Sequence, residues 1–378
     1  MASLFDELTV DSLAARNRIV RAATAESLAT DAGAPSERLV SLLKGLSEGG
    51  VGTIVTGYAY VSPDGKPSAN VLSLCDDALG PEYRPMVDAV HEGGARIVAQ
   101  IVYGGSKSKL PADDPRRIDA SAVEGEPSPG SSVVVPNVRI AGPSIVRNPL
   151  TGLVPYAATH ADLADIAAQF SEAAFRARQW GFDGVEVHAA HGYLLSQFLS
   201  PFFNERDDQY GGNLENRARF ACECVAAVRK AVGEGFPVFV KLNSSDKRDG
   251  SEGLTEADSL IVASMLVDAG ASAIEVSGDW HAFSAADAHD GPFFGSFGAR
   301  LSDQLDVPVI VTGGWRDPGK AERYLDETAV AAIGMSRPLI CEPGLPSKWA
   351  SGDLSPARCT SCNHCAKTPG IPCVFLEK

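Results

Sequence analysis

The stretch VEVHAAHGYLLSQF, residues 185–198, begins as a strand-like apolar run and delivers His188, His191 and Tyr193 within six residues. Two imidazoles and a phenol at the end of a buried strand admit three readings: a metal site, a catalytic site, or polar residues satisfied within a core. The run leading to His188 is continuously apolar, not alternating, as expected of a parallel strand covered on both faces. The same pattern recurs along the chain: RIVRAA (18–23), GTIVTG (52–57), RIVAQIV (96–102), GVEVH (184–188), PVFVKLN (237–243), AIEVS (273–277), VPVIVTGG (307–314) and AVAAIGM (329–335). Helical stretches fit between these runs. Leu163, Ile166, Phe170, Ala173, Ala177 and Trp180 fall at spacings of three and four, which is one helical face, and Gly181 is placed to cap it. Residues 213–232 and 256–268 behave alike. Eight such strands alternating with helices predict an α/β fold, a (β/α)8 TIM barrel. A doubly wound open sheet is the alternative, because periodicity does not report closure.

Residues 103–143 interrupt the alternation after the third strand. They hold many Gly, Pro, Ser and charged residues around the short run VVVPNVRI. That is too long for a routine connection. It reads as a lid or binding loop with its own hairpin, or as a surface excursion. The expected organisation is a barrel over residues 1–345 and a short Cys-rich extension over 346–378.

Composition narrows the function classes. The chain has 378 residues, 44% hydrophobic and 21% charged, enough to bury a large core. A net charge of −15 argues against a nucleic-acid surface. No apolar run is long enough to span a bilayer, and MASLFDELTVDSL lacks the basic start and apolar centre of a signal peptide. A cytoplasmic protein is expected, with no membrane partner. Eight cysteines in a chain this long do not suggest a secreted disulfide framework. Four are scattered (Cys75, Cys222, Cys224 and Cys341) and four cluster near the C-terminus.

In a barrel the strand C-terminal ends build the active site. The polar residues there are Thr24, Gln100, His188, His191, Tyr193, Lys241, Asn243, Gly313, Gly314, Arg316, Ser336 and Arg337. Loops after the seventh and eighth strands of barrels commonly form a phosphate site, and VTGGWRDP and IGMSRPL supply glycines and arginines for one. No GxGxxG follows a strand, so a phosphate-bearing cofactor inside the barrel is favoured over a Rossmann domain. A metal at His188 and His191 is disfavoured: the spacing is not that of the HExxH motif and no third ligand is evident. Two imidazoles can instead donate N–H bonds to a substrate carbonyl oxygen, and a nearby tyrosine can deliver a proton.

These segments resemble the old yellow enzyme family of FMN-containing oxidoreductases over residues 1–345. The resemblance is carried by NRIVRAATAES, VTGYAYVSP, FDGVEVHAAHGYLLSQFLSPFFNERDDQYGGNLENRAR, VIVTGGWR and GMSRPL, in the family's order. It implies a TIM barrel with FMN at the strand C-terminal ends, and NADH or NADPH as hydride donor. It implies a small unsaturated molecule as substrate, with hydride passing through the flavin to an activated alkene. Ala23 and Thr24 take the positions that line the ring, Gly57 a small residue beside it, and Gln100 the glutamine at its pyrimidine edge. Lys241 replaces a basic residue near N1. Gly313, Gly314, Arg316, Ser336 and Arg337 fall at the phosphate. His188 and His191 match the carbonyl-binding pair and Tyr193 the proton donor. There are departures. Ala23 stands where many members have Pro, Ala25 where they have Cys or Thr, and Tyr103-Gly104-Gly105-Ser106 where they read His-Ala-Gly-Arg.

The tail CTSCNHCAKTPGIPC resembles the cluster segment of the branch containing dienoyl-CoA reductases and trimethylamine dehydrogenases. That resemblance implies a [4Fe–4S] cluster on Cys359, Cys362, Cys365 and Cys373, although the last cysteine follows sooner here. Those relatives continue into nucleotide-binding domains that this sequence is expected to lack. Trp280 and His281 sit where the reductases have a Trp-His pair that supplies a catalytic histidine. C-x2-C-x2-C is a metal signature in its own right. An iron–sulfur cluster, a structural zinc and a vestigial tail all remain open, and a cluster would call for an electron-transfer partner. A homo-oligomer is expected. Two other classes stand beside the ene-reductase reading: an amine dehydrogenase or demethylase passing electrons to a cluster, and a non-enzymatic scaffold subunit.

Overall fold

The computed structural model describes residues 3–118, 137–246, 253–278, 291–366, 370 and 372–375. Among these, eight parallel strands close into a barrel. In order they are Ile19–Arg21, Thr53–Val55, Arg96–Val102, Gly184–Ala189, Val238–Asn243, Ala273–Ser277, Val309–Thr312 and Ala332–Met335. Each pairs with the next, and closure comes from the eighth on the first, with Ile333 opposite Ile19. The open-sheet alternative is thereby excluded.

Helices cover the outside. His160–Gln179 follows the third strand and is started by a Thr159–Asp162 capping box. Its buried face is Leu163, Ile166, Phe170, Ala173, Ala174 and Ala177, while Trp180 ends the helix and stacks 4.8 Å from the Tyr83 ring. Gly181 then reverses the chain at φ +94°, a conformation that favours glycine. Leu214–Val232 packs beside it, and Glu256–Asp268 packs on Leu214–Val232 in turn.

The inward-facing residues of the strands fall in layers, because every second side chain points the same way. The lowest layer is apolar: Val20, Val55, Val98, Phe239, Ala273, Ile310 and Ala332. A short antiparallel hairpin, Leu8–Val10 with Leu13–Ala15, plugs the N-terminal mouth against it. Two residues further along the strands the interior turns polar, and the candidate site begins there.

The insertion after the third strand starts with a 3-10 turn at Gly105–Lys107 and is closed at its base by an antiparallel bridge between Arg117 and Val138. A parallel pair, Ala141–Gly142 with Tyr156–Ala157, follows. Residues 119–136, where the expected hairpin would be built, lie outside the described residues. The boundary expected at 345 falls at the start of the helix Leu345–Ala350, whose Trp349 is buried in the main core together with Ala357. Among the described residues no helix is long and apolar enough to cross a membrane.

Candidate active site

The fourth strand delivers the opening motif to the barrel's C-terminal mouth. His188 is buried, and its Nδ1 accepts the Ala190 N–H at 3.2 Å, leaving the proton on Nε2. The chain then turns sharply: His191 has φ +59° and Gly192 φ +75°. A left-handed histidine is strained, and such strain concentrates at functional sites. It is held by the His191 N–H donating to Asn243 Oδ1 at 3.0 Å, and His191 Nε2 lies 2.8 Å from Ser277 Oγ. The turn brings the three rings together. His188 is 5.0 Å from His191 and 4.9 Å from Tyr193, centroid to centroid.

Both imidazoles are kept neutral. Burial, then His191, Lys241 and Lys107, push the His188 pKa well below its usual value. Burial, Lys107 and Lys241 do the same to His191. Each ring can therefore offer one N–H while adding no net charge. Burial and a hydrogen bond with Tyr58 raise the Tyr193 phenol well above its usual value, so it holds its proton. Tyr58 packs edge-on at 5.6 Å, and its hydroxyl lies 3.3 Å from Ser68 Oγ. Lys107 reaches over the Tyr193 ring at 5.3 Å and donates to the His191 carbonyl.

Beneath this group lies a polar ladder across five adjacent strands, with Gln100, Glu186, Lys241 and Glu275 buried and Thr312 half-buried at its end. Gln100 donates to Glu186, and Thr312 donates to Glu275. Lys241 is ion-paired with Glu275 and, at 3.6 Å, with Glu186. Burial and the adjacent Glu275 push the Glu186 pKa well up. For Glu275 burial is outweighed by the charge of Lys241 and by the Thr312 hydrogen bond, which hold it well down. Two carboxylates this close against one ammonium titrate as a pair and favour holding one proton between them.

At the rim, Ala23 and Thr24 follow the first strand, and Gly57 comes so close to Thr24 O and the Glu26 carboxylate that a Cβ could not fit. Gly313 (φ +100°) and Gly314 (φ +88°) leave the seventh strand, and a Cβ on Gly314 would stand 2.1 Å from Gly291 O. Arg316 follows, with its Nε buried and without a hydrogen-bond partner. Ser336 and Arg337 follow the eighth strand, and Arg337 Nη1 donates to Asn363 Oδ1 at 2.6 Å. The expected residues at strands one to five, seven and eight therefore converge on one mouth. Trp280 and His281 lie outside the described residues. Tyr58, Glu186, Glu275, Ser277 and Lys107 were not among the expected site residues.

A family model described as the NADH:flavin oxidoreductase / NADH oxidase family matches residues 3–354. The chain belongs to that family. The chain is 35% identical over 369 residues to a metal reductase of Desulforamulus reducens, covering 96% of this chain and 51% of the relative. It spans about half the length of the first curated relatives it matches. It is 30% identical to the 4,4'-dithiodibutanoate disulfide reductase of Rhodococcus erythropolis, covering 99% of this chain and 95% of the relative. Among solved structures, a 2-naphthoyl-CoA reductase complex aligns with a TM-score of 0.84 at 27% identity, covering 96% of this chain and 54% of that one.

The family's FMN fits these residues. Lys241 Nζ, Glu186 Oε1, Glu275 Oε2 and Arg316 Nε are buried and make no hydrogen bond of normal geometry, although Lys241 is ion-paired. Buried polar atoms are rarely left so. A planar polar group above the ladder and an anion near Arg316 would satisfy them.

The cysteines need a separate test. Cys359, Cys362, Cys365 and Cys373 line one small pocket with Arg337 and Ile340. Among the described residues no three Cys, His, Asp or Glu side chains converge closely enough to hold a single metal ion.

Proposed function

We propose that this member of the family is an ene-reductase, acting on a small molecule whose carbon–carbon double bond is activated by a carbonyl group. The observation that carries this reading is the neutral His188–His191 pair beside a protonated Tyr193. When bound, FMN supplies the hydride-storage chemistry, taking its electrons from NADH or NADPH. Gln100 and Lys241 would hold its polar ring edge, and Gly313, Gly314, Arg316, Ser336 and Arg337 its phosphate.

The chain's own residues do the rest. His188 offers Nε2–H to the carbonyl oxygen. Ser277 Oγ lies 2.8 Å from His191 Nε2, and in the proposed tautomer Ser277 donates there, so that His191 carries its proton on Nδ1 and is the second donor. Two neutral donors stabilise the negative charge that grows on that oxygen. Tyr193 delivers the proton to the α-carbon. The competing reading, an amine dehydrogenase, is less well served. A protonated amine would meet Lys107 at the mouth and would find donors where it needs acceptors. Cys359, Cys362, Cys365 and Cys373 would hold a [4Fe–4S] cluster, which supplies one-electron transfer to a partner. The same reading divides the chain into a barrel over 1–345 and a Cys-rich segment over 346–378.

The test is anaerobic turnover of an α,β-unsaturated ketone with NADH or NADPH in deuterated water. The expected product is the saturated ketone with deuterium at the α-carbon. Tyr193→Phe is expected to slow turnover roughly 10²-fold or more while ketone binding is retained. Full turnover by Tyr193→Phe would remove the proton-donor role. Oxidation of amines with no reduction of any activated alkene would overturn the whole reading.

A further inference from the structure

The buried ladder contains one cation and two carboxylates. Lys241 and Glu275 are direct neighbours in the register of the fifth and sixth strands, and their side chains are 2% and 0% exposed. Thr312, on the seventh strand, donates to the same Glu275 oxygen that meets Lys241. Glu186 approaches Lys241 from the fourth strand at 3.6 Å and receives a hydrogen bond from Gln100. Two ionised carboxylates against one ammonium would leave a net buried charge, which is costly. A single proton removes it, and the contacts favour Glu186 as its carrier, because Glu275 holds the closer contact with Lys241 and the Thr312 hydrogen bond while Glu186 stands at 3.6 Å. The resting ladder is then neutral, and the positive charge of Lys241 is already matched before any cofactor approaches.

We propose that Glu275 is a positioning residue that holds Lys241 and offsets its charge, so that the Lys241–Glu275 pair, not Lys241 alone, sets how strongly this site favours reduced over oxidised FMN. The proposal rests on the FMN reading above. Reduced FMN carries more negative charge than oxidised FMN. A bare buried lysine would favour the reduced form strongly, and a lysine in contact with a carboxylate favours it less, because opposite charges at contact largely cancel at a distance. Glutamine is the isostere of a protonated glutamate, so Glu186→Gln changes little in the neutral ladder. Glu275→Gln removes the matching charge but keeps the acceptor for Thr312. Glu186 can then ionise in its place but stands farther from Lys241, at 3.6 Å, so the single variant leaves Lys241 partly matched and the double variant leaves it unmatched.

The experiment measures the FMN midpoint potential of the holoprotein, with stoichiometric FMN content and circular dichroism as controls. In the double variant Glu186→Gln/Glu275→Gln, the preference for reduced FMN is expected to rise at least about tenfold, a positive shift of about 30 mV for a two-electron couple. An FMN-loaded, folded double variant with the wild-type potential overturns the proposal. Should the double variant not fold, the single variants decide. Glu275→Gln is expected to raise the preference roughly threefold or more and Glu186→Gln to leave it within about twofold. Equal shifts overturn the assignment to Glu275. Failure of the FMN reading looks different: the wild-type protein would then bind no FMN at all.

Discussion

His188 and His191 give up solvation to serve as neutral donors, and that choice has a pH signature. Burial comes first among the causes that lower both, followed by their cationic neighbours. An unfolded histidine titrates at about 6.5. Between that value and the depressed folded values the unfolded chain binds more protons, so stability falls as the pH falls through this window. Each histidine adds about 1.4 kcal/mol per pH unit across it. His91, whose hydrogen bond to the Asp183 carboxylate raises its pKa, works in the opposite direction. The comparison is therefore between proteins: His188→Gln is expected to flatten the loss of unfolding midpoint between about pH 6.5 and 5 relative to wild type. Parallel pH curves for the two proteins would show that His188 is not buried neutral. At this scale the sequence was partly legible. HAAHGY announced itself because three polar residues stood together, and Tyr193 and both histidines do meet. Glu186 and Glu275 went unread because a single charge inside GVEVH or AIEVS looks like an ordinary interruption of an apolar strand. Of the three charges only Lys241 was noticed, as a polar residue near the end of its strand. The missing signal was parity: all three face inward, two residues above an apolar layer.

The elements were easier to foresee than their assembly. Eight strands showed as continuous apolar runs, and the helix His160–Gln179 appeared with its buried face correctly assigned. Closure was invisible, since no local period encodes which strand the last one meets. The Cys-rich segment is the element whose sequence admits a cluster, a zinc or a vestigial tail, and the structure shows where it sits. Ser361 and Asn363 adopt left-handed φ values of 57° and 61° between the cysteines, curling the loop around its pocket. The loop is tied to the barrel by Arg337 at Asn363 and by the Ala357 N–H donating to Arg316 O at 2.8 Å. The segment therefore docks on the loops after the seventh and eighth strands, next to the proposed phosphate site. Anaerobically purified protein is expected to contain iron and acid-labile sulfide in equal amounts. Cys365→Ser is expected to lose both and to keep its FMN. Bound zinc with no sulfide would sink the cluster reading.

At the scale of the whole molecule, the barrel separates what stabilises it from what it does. The apolar floor and its hairpin plug lie at the N-terminal mouth, and the ladder and the His-His-Tyr group lie at the other end. Barrels commonly divide stability and chemistry between these two faces. Leu13 is almost fully buried in the plug, packed in the cluster that includes Val20, Val98 and Phe239. Leu13→Ala leaves a cavity there, and such truncations cost about 2–5 kcal/mol. The denaturation midpoint should fall accordingly. The dissociation constant for FMN, measured well below that midpoint, should stay within about twofold of wild type, because any FMN-linked effect on stability enters only through the folded state. A parallel loss of FMN affinity would mean that the hairpin shapes the upper layers, and that the polar ladder is not insulated from the apolar floor beneath it.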